Sequence, residues 1–284
     1  MSAAPSTLPA EERSAVYSQG QIDIRAGYLR YLDSDRATLD GLNMQIPIGQ
    51  WTCILGRSGC GKTSLLRYLA GLLDHLVEWD GQLTIKRALN TGVNGADSMS
   101  HHIAYMAQQD LLMPWLSALD NVLLSTRFGV SAKQNKNQTA EQKDKALTLL
   151  EKVGLVDKAH YSPMQLSGGM RQRVALARTL MQDQPIVLMD EPFSALDAVT
   201  RHRLQRLAFE LLADKTVVLI THDPQEAIRL GHKLYVMQGS PAHAQAIKLP
   251  AALSSSDVGM PRKYDAQSAL LQQVIIERLE QDYV

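Results

Sequence analysis

Two kinds of apolar pattern along the chain predict two kinds of strand. Residues 22–31 and 42–48 alternate apolar and polar side chains, which is typical of antiparallel strands with one solvated face. Residues 51–55, 186–189 and 217–220 are continuously apolar, as expected for parallel strands that are buried on both faces. The chain therefore predicts a parallel sheet together with an antiparallel region near its start.

Helical periodicity fills much of the remaining chain. Residues 63–70 and 198–213 each follow a buried strand, so they predict helices that connect parallel strands. A helical pattern extends over 117–179, with a solvated break rich in Lys, Asn and Gln at 129–140. Residues 265–280 predict a last helix. This alternation of strands and helices predicts an α/β fold with a mostly helical insert.

Shorter segments carry strand, turn or loop signals. The dipeptide at 80–81 predicts a turn into a short strand at 82–85, and residues 103–106 predict another buried strand. Residues 89–100 are polar and rich in Gly and Asn, which indicates a surface loop. Residues 239–261 are rich in Pro, Ala and Ser, so we expect a flexible segment there.

Composition limits the class of protein. The 284 residues are 45% hydrophobic, which is enough to bury a core without disulfides, and Cys53 and Cys60 are expected to be reduced thiols. The formal net charge of +0 argues against broad nucleic-acid binding, so we expect no nucleic-acid partner. No apolar run approaches the ~20 residues that span a bilayer. We therefore expect a chain that is soluble by itself and reaches a membrane through a partner.

A candidate phosphate-binding loop lies at residues 56–63, which fit the pattern G-x-x-x-x-G-K-[ST] between a predicted strand and a predicted helix. Glycines permit the backbone to wrap around phosphate, and the loop amides and the helix N-terminus then face negative charge. Lys62 can reach the β- and γ-phosphates of a nucleotide, and the Thr63 hydroxyl can bind Mg²⁺. A glycine-rich turn with an incidental lysine is the alternative, but the flanking strand and helix favour phosphate binding.

Two acids, Asp190 and Glu191, follow the strand predicted at 186–189. Ligands of parallel α/β sheets bind beyond the carboxyl ends of the strands. Asp190 would there hold Mg²⁺, directly or through water, and Glu191 would face the γ-phosphate and polarise water. An acidic pair after a strand is by itself usually a solvated turn, so this hypothesis depends on the phosphate loop upstream.

A second candidate anion site is the Leu-Ser-Gly-Gly-Met stretch at 166–170, which precedes a helical pattern at 171–181. Ser167 is a candidate N-cap, and the two glycines expose N–H groups at the start of that helix. One chain thus carries two candidate phosphate-binding helix starts that are far apart in sequence. This is expected if a nucleotide is sandwiched between two chains.

The order of these motifs resembles that of an ABC-type ATPase, the nucleotide-binding subunit of a transporter. Its parts are GRSGCGKT at 56–63, the loop at Gln108, LSGGM at 166–170, IVLMDEP at 186–192, SALD at 194–197 and His222 in THD. The resemblance implies a P-loop NTPase fold over 22–239, with a parallel-sheet core, an N-terminal antiparallel β-subdomain and a helical subdomain at about 109–180. It leaves a tail at 1–21 and a C-terminal extension with a helix at 240–284.

The resemblance also implies roles for particular residues. Those implied to bind ATP are Tyr31, Gly56, Ser58, Gly59, Cys60, Gly61, Lys62, Thr63, Ser64, Ser167, Gly168, Gly169 and Asp197. Those implied to contact Mg²⁺ are Thr63, Gln108 and Asp190. Glu191 is implied to be the general base, His222 to clasp the γ-phosphate and Gln108 to contact the attacking water. Tyr31 is our choice for stacking on adenine, with Tyr28 as the alternative.

A finer resemblance is to importers of the nitrate, sulfonate and taurine type, a subfamily that includes thiamine-precursor importers. It rests on QQDLLMPW at 108–115, on MRQRVALAR at 170–178 after the two glycines of LSGGM (the signature), and on PR at 261–262. It implies an ATPase homodimer, with Asp197 carrying signals across it, at the cytoplasmic face of the inner membrane as a peripheral subunit. Implied partners are transmembrane permease subunits and, through them, a periplasmic or lipoprotein solute-binding protein. Met170 departs from the usual glutamine, and we expect activity to survive.

Two other functions stay open on the sequence alone. A soluble ABC ATPase of DNA repair or translation would share these motifs, but such proteins usually carry long coiled coils or two fused cassettes. A binding-only nucleotide switch is a different class, and the presence of both Glu191 and His222 argues against it.

Overall fold

The structure is a computed structural model that describes residues 20–86, 93–94, 102–127, 136–250 and 260–282. Its strands are β1 (Gln21–Tyr31), β2 (Leu39–Pro47), β3 (Trp51–Gly56), β4 (Val77–Lys86), β5 (Val93–Asn94), β6 (Ile103–Met106), β7 (Ile186–Asp190), β8 (Thr216–Ile220), β9 (Lys233–Gly239) and β10 (Ala242–Ile247). Its α-helices are α1 (Lys62–Leu69), α2 (Ala118–Val122), α3 (Leu124–Arg127), α4 (Lys136–Lys152), α5 (Gly168–Met181), α6 (Ala198–Leu211), α7 (Pro224–Leu230) and α8 (Ala266–Gln281). Short 3₁₀ turns lie at Val156–Lys158 and Pro163–Gln165.

All ten strands of the described residues belong to one sheet, in the order β5-β4-β1-β2-β10-β9-β3-β8-β7-β6. The strands from β9 to β6 pair in parallel. At the other end, β1 pairs antiparallel with β2 and β4, and β4 with β5. Strand β10 connects the two parts, because it pairs with β9 and, at Ala242, with Leu39 of β2. The predicted parallel core and antiparallel region are thus confirmed as parts of one sheet.

Helices cover both faces of the parallel strands, and alternate side chains of each strand face one layer or the other. One face includes Ile54 and Leu188 and packs against α1. The other face includes Cys53 and Val187 and packs against α5, α6, α7 and α8. Helices α1 and α5 therefore lie on opposite faces of the sheet.

The predicted turn before residue 82 is wrong, because strand β4 passes straight through it. Arg25 pairs with Gln82 and Tyr28 with Asp80, so two residues of β1 lie opposite Gly81 alone. This two-against-one pairing is a β-bulge, which bends the strands without ending them. Gly81 has a φ of 110°, which glycine adopts readily.

Strand β10 corrects the flexible segment expected at 239–261. Its sequence, AHAQAI, has little intrinsic strand preference, and pairing with β9 and β2 places it in the sheet. It lies beyond the domain boundary predicted at 239 and pairs across it. Residues 251–259 of that segment lie outside the described residues.

Two further loop predictions differ from the structure. Helix α4 begins at Lys136, so the break predicted at 129–140 is wrong from that residue onward. The short strand β5 lies within the loop predicted at 89–100, of which the other residues lie outside the described part of the chain. The same holds for residues 1–19 of the predicted tail.

Replacing Gly81 by Ala should destabilise the protein. A Cβ at Gly81 would lie 2.6 Å from the carbonyl oxygen of Ala26, and a φ of +110° disfavours an L side chain. We expect the midpoint of urea unfolding to fall by an amount equivalent to about 2 to 4 kcal/mol.

Gly41→Ala is the matched control for that experiment. Gly41 also has a positive φ, of 65°, but a Cβ there would meet no described atom within 4 Å. We expect a loss of only about 1 kcal/mol. Equal losses for the two variants would contradict the predicted steric conflict with Ala26.

Candidate functional site

The phosphate loop lies between β3 and α1, at the carboxyl edge of the parallel strands. Gly61 is the N-cap of α1 with a φ of 100°, and Gly59 has a φ of 81°. A Cβ on Gly61 would lie 2.8 Å from Cγ2 of Thr38 and 2.9 Å from Cδ2 of Leu39. Glycine at position 61 therefore lets the loop pack directly against the start of β2.

The Lys62 ammonium lies inside this loop. Its Nζ donates hydrogen bonds to the carbonyl oxygens of Gly56 at 2.8 Å and Arg57 at 2.7 Å. The buried Cys60 thiol lies 3.8 Å from the same nitrogen, whereas Ser58 is exposed at the tip of the loop. The two carbonyls fix a positive charge where the loop amides converge, which suits an anionic ligand.

Tyr31 lies beside the phosphate-loop helix. Its hydroxyl donates a hydrogen bond to Oγ of Ser64, in the first turn of α1, at 3.0 Å. The hydroxyl of Tyr28, the alternative candidate for stacking on adenine, interacts instead with Arg30. Of the two tyrosines, Tyr31 is therefore the one that contacts the phosphate-loop helix.

Asp190 ends β7 and faces Thr63 of α1. The residue is only 1% exposed, and burial raises the pKa of its carboxyl, although a hydrogen bond with Thr63 opposes that effect. The buried Oδ2 has no hydrogen-bond partner among the described residues. Carboxylate, hydroxyl and phosphate oxygens are the ligands that Mg²⁺ prefers. An unsatisfied buried carboxylate oxygen beside a hydroxyl therefore fits magnesium.

The described residues hold no cluster of three or more His, Cys, Asp or Glu side chains arranged around one metal position. Mg²⁺ is usually held by one or two protein carboxylates together with phosphate oxygens and water.

Glu191 has an unusual backbone conformation, with a φ of 49°. A positive φ costs energy for a residue with a side chain, and it persists where surrounding contacts enforce it. Its N–H donates to the carbonyl of Ile220 at 2.9 Å, and its own carbonyl accepts from Nε2 of Gln172 at 3.1 Å. The carboxylate oxygen Oε2 lies 3.1 Å from Nδ1 of His222. The structure thus brings together Glu191 and His222, two of the three residues predicted to be catalytic; the third, Gln108, lies in the loop after β6.

His222 follows β8 in a turn that leads into α7. Asp223 caps α7 by accepting from the N–H of Gln225, and the Thr221 hydroxyl accepts from the N–H of Asp223. The His222 side chain is 64% exposed, and that of Glu191 is 18% exposed. The histidine therefore extends from a well-anchored turn into solvent at the carboxyl edge.

The signature stretch begins α5, and Ser167 is its N-cap, as predicted. Oγ of Ser167 accepts from the N–H of Met170 at 3.3 Å. Leu166 is buried and anchors the stretch, whereas Ser167 and Gly168 are exposed. A Cβ on Gly169 would lie 3.3 Å from Leu196. Ser167 and Gly168 are therefore accessible from outside the protomer.

Two arginines of α5 hold the loop that contains Gln108, an exposed residue just after β6. Arg171 donates from Nε to Oδ2 of Asp110 at 2.8 Å. Arg178 donates to the carbonyl oxygens of Asp110 at 2.7 Å and Leu111 at 2.8 Å. Neither arginine was predicted to contribute to the site; their signal was three arginines on the helix that follows the signature.

The sequence analysis also missed Gln172, which connects the signature helix to the acids. Its amide donates to the carbonyl of Glu191 and accepts from the N–H of Ala195, both at 3.1 Å. Beyond Ala195, Asp197 is exposed and caps α6 by accepting from Thr200 at 3.0 Å, a hydrogen bond that lowers the pKa of Asp197. Gln172 therefore links the helix that follows the signature to the segment that leads to Asp197.

The two candidate phosphate-binding helix starts do not share a face. The phosphate loop, Asp190, Glu191 and His222 collect at the carboxyl edge of the parallel strands. The signature belongs to α5, which packs on the face opposite to α1. Within one chain the structure thus separates the two sets that sequence analysis assigned to one nucleotide.

Comparison with known proteins identifies the family. The family model described as ABC transporter matches residues 39–194, more than half of the chain. The chain belongs to the ABC transporter family. An uncharacterised ABC transporter ATP-binding protein of Haemophilus influenzae is 42% identical over 237 residues, which are 82% of this chain and 90% of the relative. An aliphatic sulfonates import ATP-binding protein of Mesorhizobium japonicum is 36% identical over 274 residues, which are 95% and 94% of the two chains.

Solved structures of ABC cassettes have the same fold. The dimeric structure of MJ0796, a bacterial ABC transporter cassette, is similar with a TM-score of 0.68 and 28% identity, over 81% of this chain and 100% of that chain. A post-hydrolysis dimer of MJ0796 bound to ADP and Pi has a TM-score of 0.67 and 27% identity, with the same coverage. This ABC transporter chain is thus an ATPase with a P-loop NTPase fold, as predicted. Within the described residues, no helix is both long enough and apolar enough to cross a bilayer.

Replacing Asp190 by Asn should stabilise the nucleotide-free ABC cassette at neutral pH. Because burial raises the pKa of Asp190 in the folded state, folding stability falls as the pH rises from the unfolded-state pKa, about 4, to the folded-state pKa. Asn carries no charge, so its advantage is complete above the folded-state pKa and vanishes below about pH 4. Urea unfolding midpoints measured between pH 4 and pH 8 check this.

Asp183→Asn is the control of opposite sign. The Asp183 carboxylate pairs with Lys215 at 3.0 Å. Burial by itself would raise the pKa of Asp183, but its lysine partners outweigh burial and lower that pKa. The carboxylate therefore stabilises the fold at neutral pH, and Asn should weaken it. A loss of stability for Asp190→Asn at pH 8 would contradict the prediction for that site.

Proposed function

We propose that this chain is the ATP-hydrolysing subunit of an importer for a small solute of the aliphatic sulfonate class. Support comes from the Mesorhizobium relative, which bears that name and is matched along 94% of its length. Nitrate, taurine and thiamine precursors are the other solutes of the subfamily that the sequence resembles. The solute is selected by a permease and a binding protein, which are the partners in this proposal.

One observation carries the proposal: Ser167 and Gly168 are exposed at the start of a helix on the face opposite to α1. Ser167 is fixed as the N-cap of this helix, and the buried Leu166 anchors the stretch. The phosphate loop of the same chain, however, lies at the start of a helix on the other face of the sheet. A second copy, facing the opposite way, brings its phosphate loop to them. Two copies thus close around two ATP molecules.

The phosphate loop binds the triphosphate of ATP in this arrangement. The residues that line it are Gly56, Ser58, Gly59, Cys60, Gly61, Lys62, Thr63 and Ser64, with Tyr31 stacking on the adenine. Glycine backbone and loop amides approach the phosphates, and Lys62 adds a positive charge. Thr63 and Asp190 would hold Mg²⁺, with Gln108 as a further ligand. The ion neutralises charge on the phosphates when it is bound.

Glu191 acts on the attacking water. Its carboxylate accepts a proton from water as the γ-phosphate bond breaks, and the side chain of His222, with Nδ1 3.1 Å from that carboxylate, clasps the γ-phosphate. The enforced backbone conformation of Glu191 keeps the carboxylate directed along the carboxyl edge. Phosphoryl transfer depends mostly on positioning and charge, which this geometry supplies.

The Gln108 loop couples hydrolysis to transport. Leu111 and Trp115 in this loop are 53% and 76% exposed, a large apolar area for a surface loop. Arg171 and Arg178 tie the loop to the signature helix, so closure of the dimer moves both together. In this proposal the loop contacts permease subunits, which place the chain at the cytoplasmic face of the inner membrane.

Replacing Glu191 by Gln should separate binding from hydrolysis. The amide keeps the size of the side chain but cannot accept the proton, so we expect phosphate release to fall by about 10² to 10⁴-fold. ATP should still bind, and dimers should accumulate in size-exclusion chromatography with ATP. Hydrolysis at the parental rate would contradict the assignment of Glu191 as the base.

Adding Ser167→Arg to Glu191→Gln should abolish that dimer. The arginine occupies the space of the opposing γ-phosphate, while the phosphate loop of the same chain is untouched. We expect ATP binding to persist and the chain to remain monomeric in light scattering. Thr148→Arg, on the exposed surface of α4, is the matched control and should dimerise normally. A dimer that tolerates Ser167→Arg would refute the two-chain site.

A further inference from the structure

Helix α8 ends directly beside the phosphate loop, although nothing in the sequence relates the two. The helix is docked through Ile275, which is fully buried, and through the carbonyl of Arg278, which accepts from Nε2 of Gln238 at 2.8 Å. Its C-cap residue, Asp282, lies 225 positions from Arg57 in the chain and contacts it. Arg57 is the second residue of the phosphate loop.

Asp282 holds two parts of the protein at once. Its Oδ2 pairs with Nε of Arg57 at 3.2 Å, and its backbone carbonyl accepts from Nη1 of Arg57 at 3.0 Å. Its Oδ1 accepts from the N–H of Gly239 at 2.7 Å. The Asp282 side chain is only 9% exposed. Because β3 ends at Gly56 and β9 ends at Gly239, Asp282 joins the ends of two neighbouring strands.

An aspartate is a poor residue for this end of a helix. Asp282 is the C-cap of α8, where the helix dipole and the free carbonyl oxygens disfavour negative charge. Arg57 supplies what the helix end needs, because it donates to one of those carbonyls and neutralises the carboxylate. The pairing with the phosphate loop therefore accounts for an aspartate that helix preference does not.

The contact continues into the binding site. The carbonyl oxygen of Arg57, held by the side-chain pairing with Asp282, accepts from Nζ of Lys62 at 2.7 Å. Among the described residues, Lys62 has one other carbonyl acceptor, at Gly56. An unbroken series of contacts thus runs from the C-terminal helix through Arg57 to the ammonium group that faces the phosphates.

We propose that Asp282 is a positioning residue for the phosphate loop: through Arg57 it fixes the carbonyl that orients the Lys62 ammonium towards ATP. The C-terminal helix is then part of the ATPase site. This inference rests on the proposed contact of Lys62 with the triphosphate. It adds that the affinity for ATP depends on the far end of the chain.

The test compares Asp282→Asn with Arg57→Ala, alone and combined, in the full chain assembled with its permease partners. Asn keeps the acceptor for Gly239, removes the charge that pairs with Arg57 and places an NH₂ donor where Oδ2 faced the Arg57 guanidinium. We expect each single variant to raise the KM for ATP by about three- to tenfold with kcat changed less than about twofold. The double variant should equal Arg57→Ala within about twofold, because Arg57→Ala already removes the ion pair that Asp282→Asn removes. Arg57→Lys should recover part of the loss.

Two controls make the result specific. Arg278→Ala removes a contact of α8 with Gln245 and leaves Arg57 untouched, so the KM should stay at the parental value. Binding of a fluorescent ATP analogue to the purified full chain should weaken for Asp282→Asn as the KM does, which removes any dependence on transport. Melting temperatures of the variants, compared with the parent, show whether a loss of folding explains a loss of binding.

The other outcomes overturn the inference. A KM within about 1.5-fold of the parent for Asp282→Asn, or additive effects of the two substitutions, would show that the pair does not position the loop. An equal rise for Arg278→Ala would assign the effect to helix docking in general. Lys62→Ala is measured in parallel. If Lys62→Ala leaves ATP binding unchanged, the proposed role of Lys62 is wrong. If Lys62→Ala weakens ATP binding and Asp282→Asn does not, only the inference about Asp282 is rejected.

Discussion

The parallel pairing of β3, β8 and β7, buried on both faces, decides where the reacting groups lie. Strands that run in the same direction end at one edge, so the phosphate loop, the acids and the histidine turn collect there although they are far apart in sequence. Burial on both faces removes any freedom to slip in register, since a shift of one residue would exchange the side chains of the two layers. Asp190 is thereby kept beside Thr63, with one carboxylate oxygen left for a ligand.

The two faces of that sheet also separate the phosphate loop from the signature, the two groups that are proposed to bind one nucleotide. The phosphate-loop helix packs on one face and the signature helix on the other, each against its own apolar core. No side-chain rearrangement moves a helix through a close-packed sheet. In the proposed dimer, a protomer of this ATPase therefore contributes half of each of two sites, and the exposed signature is completed by a second protomer. Gln172 and the two arginines of α5 connect that surface to Glu191 and to the Gln108 loop within each protomer.

Much of the fold was predictable because it is encoded locally. Continuous apolar runs marked the buried strands, and glycines marked the phosphate loop. The errors occurred where tertiary contacts outweigh local preference. The sequence of β10 has weak strand preference and becomes a strand because β9 and β2 offer unpaired backbone groups. The dipeptide at 80–81 consists of residues that favour turns, but pairing with β1 keeps it in the strand, where it forms a β-bulge.

The sequence by itself determined the chemical groups of this protein: the phosphate loop, the acids after a buried strand, the capped signature helix and the family to which they belong. These are short patterns whose residue types are fixed by local backbone geometry. Only the tertiary structure decided which groups meet. Three contacts join residues that are 19 to 225 positions apart: Gln172 with Glu191, Glu191 with His222, and Arg57 with Asp282. Such contacts have no period along the chain, because they depend on how strands and helices pack rather than on their neighbours in sequence.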